Sequence, residues 1–536
     1  MELTGGEVAG EDRLSELPDD VLVQILLRVD ATDTAARTSV LSRRWRRVWA
    51  LLPVLFFGGS CKPHLIGDRE NFLSEKKTRN PIIMFLGDDR KTVNPINPIN
   101  TFIGNHRFFS LTGKVNLVGD ALGTHQAALL GLSVETVSAT PDSVAAWLPV
   151  AAPRLAGLLI YENVAPGIDT EEQGDEGAFE LPCFEKATII SLDLGFLGLS
   201  MPPTGVFACL TNLSLKRVQF DGPFELGDTG SSLRCPCLLV LKIHNARGLL
   251  TVTVCSESLH LMELCTLQDL EQLTVAAPLL CEFSFRCCFA LGSRQPIASI
   301  VAPQLELLHW EDFYHSSSVH LGKMEHLQSL GTYFFAYGSA DYSLISPAVG
   351  LLPRFKALRC LTFTLFYPLD LGKYNYLMEH MTMLPDITSL HMIVIAMGHA
   401  FGATSFHVLG ICSGITSLKL TLPAPKTACP SGCICGQQPP NWKTEGLLLN
   451  CLQKVEINYF SGSEHEVAFV KRLFICATVL KKVIVVFDCS VTKSMAEELF
   501  QMLLNFSKPD IHMEYYIRAH GAACTGEGSK AGGSSA

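Results

Sequence analysis

Three cysteines, Cys429, Cys433 and Cys435, fall close together, with Cys412 and Cys451 on either side, and clustered thiols are what a structural metal would recruit. Zinc takes four ligands, and this spacing is not among the common paired ones, so the pattern predicts loop thiols with no metal and no cofactor. His465-Glu466 opens like a helical zinc-protease motif, but Phe469 stands where its second histidine belongs. No Walker loop, dinucleotide glycine fingerprint or GxSxG elbow occurs either. The expectation is a chain that is not an enzyme and has no catalytic residues.

A second group with chemical potential is basic. Arg43, Arg44, Arg46 and Arg47 are interleaved with Trp45 and Trp49, which could serve nucleic acid or nuclear targeting. At helical spacing, however, Trp45, Val48, Trp49 and Leu52 share one face and the arginines surround it. That arrangement fits a solvated or partner-facing helix surface better. The 536 residues carry a net charge of -10, which excludes a global nucleic-acid binder, because that function rests on a basic footprint.

The elements that position these residues begin at Leu14. Pro18 suits a first helical position, and Asp19 and Asp20 complement the positive helix end. Val21, Leu22, Ile25, Leu26 and Val29 form an apolar stripe, ended by the turn residues Asp30 to Asp33. A short helix follows through Ala35 to Val40, then a third with Ser42 as N-cap and Pro53 as its stop. Forty residues in three short helices cannot bury that much apolar surface, so another surface must cover it.

The runs LPDDVLVQIL and AARTSVLSRRWRRVW, in this order and spacing, resemble the F-box of plant proteins over residues 14–53. The resemblance implies docking to the Skp-family adaptor of an SCF-type (Skp-cullin-F-box) ubiquitin ligase, and through it to a cullin. Leu17 and Pro18 match the family's Leu-Pro start, Ile25 and Leu26 its first-helix pair, Val40 and Leu41 the second-helix pair, and Trp45 the aromatic anchor. Val21 and Trp49 complete the expected adaptor-binding set. Leu27 and Val29 depart from the commoner Ser and Leu but leave the stripe apolar.

Periodicity fades over residues 58–106, where the duplicated NPINPIN stands, and this stretch reads as an irregular linker. Over residues 107–440 the 77 leucines of the chain find their explanation. Leu-x-x-Leu-x-Leu, with other large apolar residues allowed, recurs at Leu129-Leu132-Val134, Leu155-Leu158-Ile160, Ile189-Leu192-Leu194, Leu210-Leu213-Leu215, Leu238-Leu241-Ile243, Leu280-Phe283-Phe285 and Leu305-Leu308-Trp310. It continues at Leu358-Leu361-Phe363, Ile387-Leu390-Met392, Ile415-Leu418-Leu420, Leu452-Val455-Ile457 and Leu480-Val483-Val485. This is a degenerate leucine-rich repeat, each unit a strand, a loop and a helix, stacked into a curved parallel sheet because one unit cannot bury its own leucines. Leu270-Leu273-Val275 stands too close to its successor and is assigned to a helix; Leu327-Leu330-Thr332 is a weak match.

The residue between the two inward positions must point to solvent. The expected target-binding, concave face is therefore Ser133, Leu159, Asp193, Ser214, Lys242, Ser284, His309, Thr362, His391, Lys419 and Glu456. No one charge dominates, so a peptide or folded protein suits it better than a phosphate-rich ligand.

In CLQKVEINYFSGSEHEVAFVKRLFICATVLKKVIV, from Cys451, strand, turn, helix and strand follow one another, with Ser463 and Glu466 at capping-box spacing. Together with NWKTEGLLLN it resembles the FBD domain of plant F-box and leucine-rich-repeat proteins, placed at residues 441–507 as a cap on the solenoid. A last helix is expected over Ser494 to Phe506, and a disordered Gly, Ser and Ala tail over 519–536.

The expected fold is thus α/β: a three-helix F-box, a solenoid with a curved parallel sheet, and an FBD cap. Met1 to Leu14 shows no apolar signal segment, so the 19 cysteines are expected to be reduced, in cytoplasm or nucleus. The longest uncharged stretch, Ile387 to Leu418, contains three histidines and is not expected to span a membrane. The function implied is a non-catalytic substrate receptor of the ligase, binding an unknown target protein, with neither nucleic acid nor membrane as partner. Two other uses remain open: a ligase-independent interaction scaffold, and a small-molecule or hormone sensor, which would need a polar or basic pocket on the concave face.

Overall fold

A computed structural model describes residues 17–26, 43–57, 116–164, 177–202, 205–221, 224–226, 234–290, 295–338, 347–355, 357–382, 384–412, 414–423, 429, 432–437 and 446–517. The expected helix at 35–40 with Val40 and Leu41, the linker at 58–106 and the tail at 519–536 lie outside these residues. Helices Asp19–Leu26 and Arg43–Trp49 open the described chain. Strand Val54–Phe57 follows and pairs in parallel with Leu129–Val137, Val54 opposite Gly131. The segment leaving the head therefore becomes the first strand of the main sheet, which the helical pattern did not foreshadow.

From there the sheet runs through Leu155–Val164, Ile189–Asp193, Asn212–Phe220, Val240–Arg247, Leu261–Leu267, Glu282–Arg286, Leu307–Glu311 and Ser329–Phe335. It continues through Ala357–Phe366, Asp386–Ile395, Ser417–Thr421, Lys454–Phe460, Lys482–Phe487 and His512–Ile517. All these pairings are parallel, sixteen strands in sequence order. Two short strands, Ala178–Glu180 and Gly198–Ser200, attach beside Asn212–Phe220 and complete an 18-stranded sheet.

Inward positions stack in rows. Leu132, Leu159, Ile190, Leu213, Leu241, Met262, Phe283, Leu308, Leu330, Leu361, Leu390, Leu418, Val455 and Val483 are in register and buried. They belong to one core that extends from Leu22 in the head to Ile511. No repeat has a core of its own, as a stacked solenoid requires.

Leu213, Leu241, Met262, Phe283, Leu308 and Leu330 stand 21 to 28 residues apart. These five coils return through a second parallel sheet, made of Phe224–Leu226, Thr251–Cys255, Gln272–Ala276, Ile297–Val301 and Val319–Leu321. Other coils return through helices such as Gly402–Ile411, Glu464–Cys476 and Lys493–Phe506. Among the described residues, the helix expected in every unit is thus absent from these five coils. Leu273 and Val275 belong to a strand of the second sheet, not a helix, and the weak match at Leu330 is a full strand of the main sheet.

Alternation along the strands also breaks at a recurrent place. Arg217, Asn245, Thr266, Cys287 and Tyr459 all adopt φ between +47° and +59°. The residues after them, Val218, Ala246, Leu267, Cys288 and Phe460, are buried. Each left-handed residue re-phases its strand by one position, as a bulge does. At the other end of a strand, Gly157 does the same: a Cβ there would stand 2.1 Å from the Leu130 carbonyl oxygen, and the register shifts at this point. Leu159 is therefore buried and Ile160 half-buried on the open face, the reverse of the spacing argument.

Among the described residues no helix is long and apolar enough to cross a membrane. The uncharged stretch Ile387 to Leu418 forms a strand, a helix and part of a strand.

Candidate docking head and recognition face

Arg44 joins the two helices of the head. Its Nε donates to Asp19 Oδ1 at 2.9 Å, and a terminal nitrogen donates to the Leu17 carbonyl. With the helices held this way, Pro18 and Val21 are exposed, Val21 by 37%. Leu17, Ile25, Trp45 and Trp49 are half-buried. Leu26 is 4% exposed and belongs with Leu22, Val48 and Leu52 to the continuous core. It faces inward, one turn from Leu22, and not toward an adaptor as expected.

The side of the head away from Val21 is bonded to the array. Trp49 meets the His125 ring edge-on at 6.2 Å and 85°, and His125 Nε2 lies 2.8 Å from the Leu52 carbonyl oxygen. Arg154 donates to the Leu122 and His125 carbonyls. The N–H groups of Gln126 and Leu130 donate to the carbonyls of Ala50 and Pro53, at 3.0 and 2.7 Å. Burial pushes His125 below its ordinary 6.5; the Leu52 carbonyl opposes the shift and the Arg154 charge adds to it.

On the open face of the main sheet, register aligns Ser133, Ile160, Ser191, Ser214, Lys242, Glu263, Ser284, His309, Gly331, Thr362, His391, Lys419, Glu456, Ile484 and Glu514. Ser133, Ser214, Lys242, Thr362, His391, Lys419 and Glu456 are half-buried there. Asp193 lies on the same face one row further along, opposite Lys216. Ser284 and His309 are each only 4% exposed, which removes them from the solvent-facing set. His309 lies flat across its neighbour: a Cβ on Gly331 would stand 1.8 Å from His309 Nδ1.

Charges on this face are paired between strands. Lys242 Nζ and His244 Nε2 lie 3.1 and 3.3 Å from Glu263 Oε2. Lys419 Nζ lies 3.3 Å from Glu456 Oε1, and Arg217 Nε 2.5 Å from Asp193 Oδ1. Burial disfavours ionised Glu263, but the His244 hydrogen bond and the Lys242 charge outweigh it and hold its carboxyl down at about 2. Glu263 was absent from the expected face, although Leu259-Met262-Leu264 repeats the same spacing 21 residues after Leu238-Leu241-Ile243. Cys429, Cys433 and Cys435 converge on His399, a residue that local spacing could not associate with them.

The F-box domain profile matches residues 14–57. An F-box/FBD/LRR-repeat protein of Arabidopsis thaliana is 51% identical over 53 residues, 10% of this chain and 12% of the relative. This chain carries an F-box similar to that of plant F-box/FBD/LRR-repeat proteins. The F-box protein is also 53% identical over 47 residues to a second such Arabidopsis thaliana protein, 9% of this chain and 10% of the relative. An F-box/LRR-repeat protein of the same plant is 40% identical over 81 residues, 15% of this chain and 23% of that relative. The F-box protein thus spans less than a quarter of the length of these relatives in the matched stretches, and the likeness falls on the head. The parallel solenoid behind the head agrees with the repeat architecture in the relatives' names.

Proposed function

We propose that this F-box protein is a substrate receptor of an SCF-type ubiquitin ligase. The head docks the Skp-family adaptor, which brings the cullin, and the open face of the sheet holds a target protein. The observation that supports this reading is the head's asymmetry. Pro18 and Val21 are exposed and Leu17, Ile25 and Trp45 only half-buried on the F-box helices, while Trp49 and Leu52 are engaged by the array. The open face carries Lys242, Glu263, Lys419 and Glu456 in mutually paired form, a mixed polar surface suited to a protein or peptide and not to a polyanion. The chain makes and breaks no bond itself; its contribution is proximity between target and the transferring module. Residues 441–507 act as the distal cap, their strands continuing the same sheet.

Co-purification of the full chain with a Skp-family adaptor tests this. Wild-type protein is expected to bind, and Val21→Asp or Trp45→Ala to weaken binding at least about tenfold, as loss of an interface anchor does. Lys242→Ala and Lys419→Ala should leave adaptor binding unchanged. Wild-type protein that retains no adaptor rejects the reading.

A further inference from the structure

Strand Asp386–Ile395 leads to a turn carrying His399, and helix Gly402–Ile411 follows. The next strand, Ser417–Thr421, leads to Cys429, Cys433 and Cys435, the last within a single turn of 3-10 helix, Ile434–Gln437. Gly432, beside Cys433, takes φ +79°, a conformation natural to glycine. All four ligand atoms lie within 4.8 Å of one another. His399 Nδ1 is 3.2 Å from Cys429 Sγ and 3.4 Å from Cys433 Sγ, and Cys429 Sγ is 3.4 Å from Cys435 Sγ.

Three observations separate this cluster from ordinary buried thiols. First, the separations suit a tetrahedron: bonds of about 2.3 Å to sulfur and about 2.0 Å to nitrogen set edges of roughly 3.5–3.8 Å. The sulfur–sulfur contact is far beyond the roughly 2.05 Å of a disulfide. Second, His399 Nε2 lies 3.2 Å from the carbonyl oxygens of both Pro368 and Leu369. Two acceptors there require the proton on Nε2, which leaves the Nδ1 lone pair aimed at the sulfurs, the orientation a backbone carbonyl gives a metal-ligating histidine. Third, that one lone pair faces two sulfurs and accepts one S–H at most, whereas a cation at the centre serves all four atoms. His399 is 1% exposed and Cys435 is buried, with Cys429 and Cys433 half-buried beside them.

We propose that His399, Cys429, Cys433 and Cys435 bind one zinc ion in a closed structural site. Four protein ligands, three of them thiolates, leave no open position for substrate and favour zinc over harder cations. The ion joins two successive coils of the array. It ties the first half of the long coil between Leu418 and Val455, buried positions 37 residues apart, to the turn at His399, and such a cross-link restricts the unfolded chain. Its contribution is to folding and rigidity next to the C-terminal strands. The site is independent of adaptor docking, since the head lies at the opposite end of the sheet.

Elemental analysis of the full chain, purified under reducing conditions without chelator, tests the proposal. Wild-type protein should carry about one zinc per chain. Cys433→Ser and His399→Ala should fall to background, and Cys451→Ser, which alters an exposed neighbouring thiol, should retain the metal. Should the ligand variants fail to fold, Co2+ exchanged into wild-type protein decides: tetrahedral d–d bands with thiolate charge transfer support the site, and an octahedral spectrum rejects it. Wild-type protein that is metal-free and takes up neither Zn2+ nor Co2+ overturns the proposal, as does a Cys433→Ser variant with undiminished zinc.

Discussion

Trp49 of the head and His125 of the array meet ring edge to ring face, and His125 also bonds the Leu52 carbonyl. Removing that imidazole leaves a buried carbonyl without this partner and opens a gap under Trp49. His125→Ala should cost about 1–3 kcal/mol, read from urea unfolding, and should loosen the head without altering the sheet. Because burial lowers the folded pKa, the unfolded chain takes up the proton first, so this contribution is complete above 6.5 and is lost as pH falls from there through the lower folded value. Stability of wild type and variant should converge below that pH; parallel curves would contradict the assignment.

Gly331→Ala should be disruptive, because its Cβ would overlap the His309 ring. The double variant with His309→Ala should recover part of the loss, with a coupling of about 1–3 kcal/mol in a thermodynamic cycle. Additive effects would show that His309 moves aside freely.

Two carboxylates give stability opposite pH dependence. Glu263 has its pKa lowered to about 2, so its contribution is complete above 4.5 and is lost as pH falls toward about 2. Asp312 has its pKa raised to about 6 by burial, against hydrogen bonds from the Cys288, Phe289 and Phe313 N–H groups. Its ionisation therefore removes stability as pH rises from 3.8 to about 6. Glu263→Gln should flatten the acid limb of a stability–pH curve, and Asp312→Asn should remove the decline above it. A single curve shared by all three proteins would refute both assignments.

The Ser463 and Glu466 capping box can be tested at one helix. Glu466 accepts from the N–H groups of Ser461, Gly462 and Ser463 at 2.9, 2.8 and 3.2 Å, and Ser463 Oγ accepts from the Glu466 N–H. Ser463→Ala should cost about 1 kcal/mol, and Glu466→Ala more, because three donors lose their acceptor together. Equal losses would contradict that division.

That capping box was legible because it is a local pattern, and so were the first and third head helices and most strands, whose leucines repeat at fixed intervals. What escaped depends on geometry between coils. Gly157 and the left-handed residues at 217, 245, 266, 287 and 459 shift the alternation by one, so Leu159 looked exposed and is buried. The second sheet escaped because a return strand such as Gln272–Ala276 carries the same alternation as a main-sheet strand. Ser284 and His309 fit the outward position and are nevertheless covered, since His309 lies over Gly331. On the head, Pro18 and Val21 of the expected adaptor residues are exposed, and Leu17, Ile25 and Trp45 are half-buried against the core; Leu26 is buried, and Trp49 is engaged by His125. His399 could not be associated with the cysteines while they were considered by spacing alone, for only the stacking of one coil on the next makes them neighbours.

Sixteen parallel strands in sequence order also amount to a graduated scale. At about 4.8 Å per strand the sheet measures about 70 Å along its arc, with the F-box helices hydrogen-bonded to its first division. A target seated at Lys242 is held several divisions nearer the head than one seated at Lys419 or Glu456. On the proposed receptor reading, the row at which a protein is gripped would set how far its lysines stand from the recruited enzyme, so that choice of docking strand and choice of modified residue become one decision.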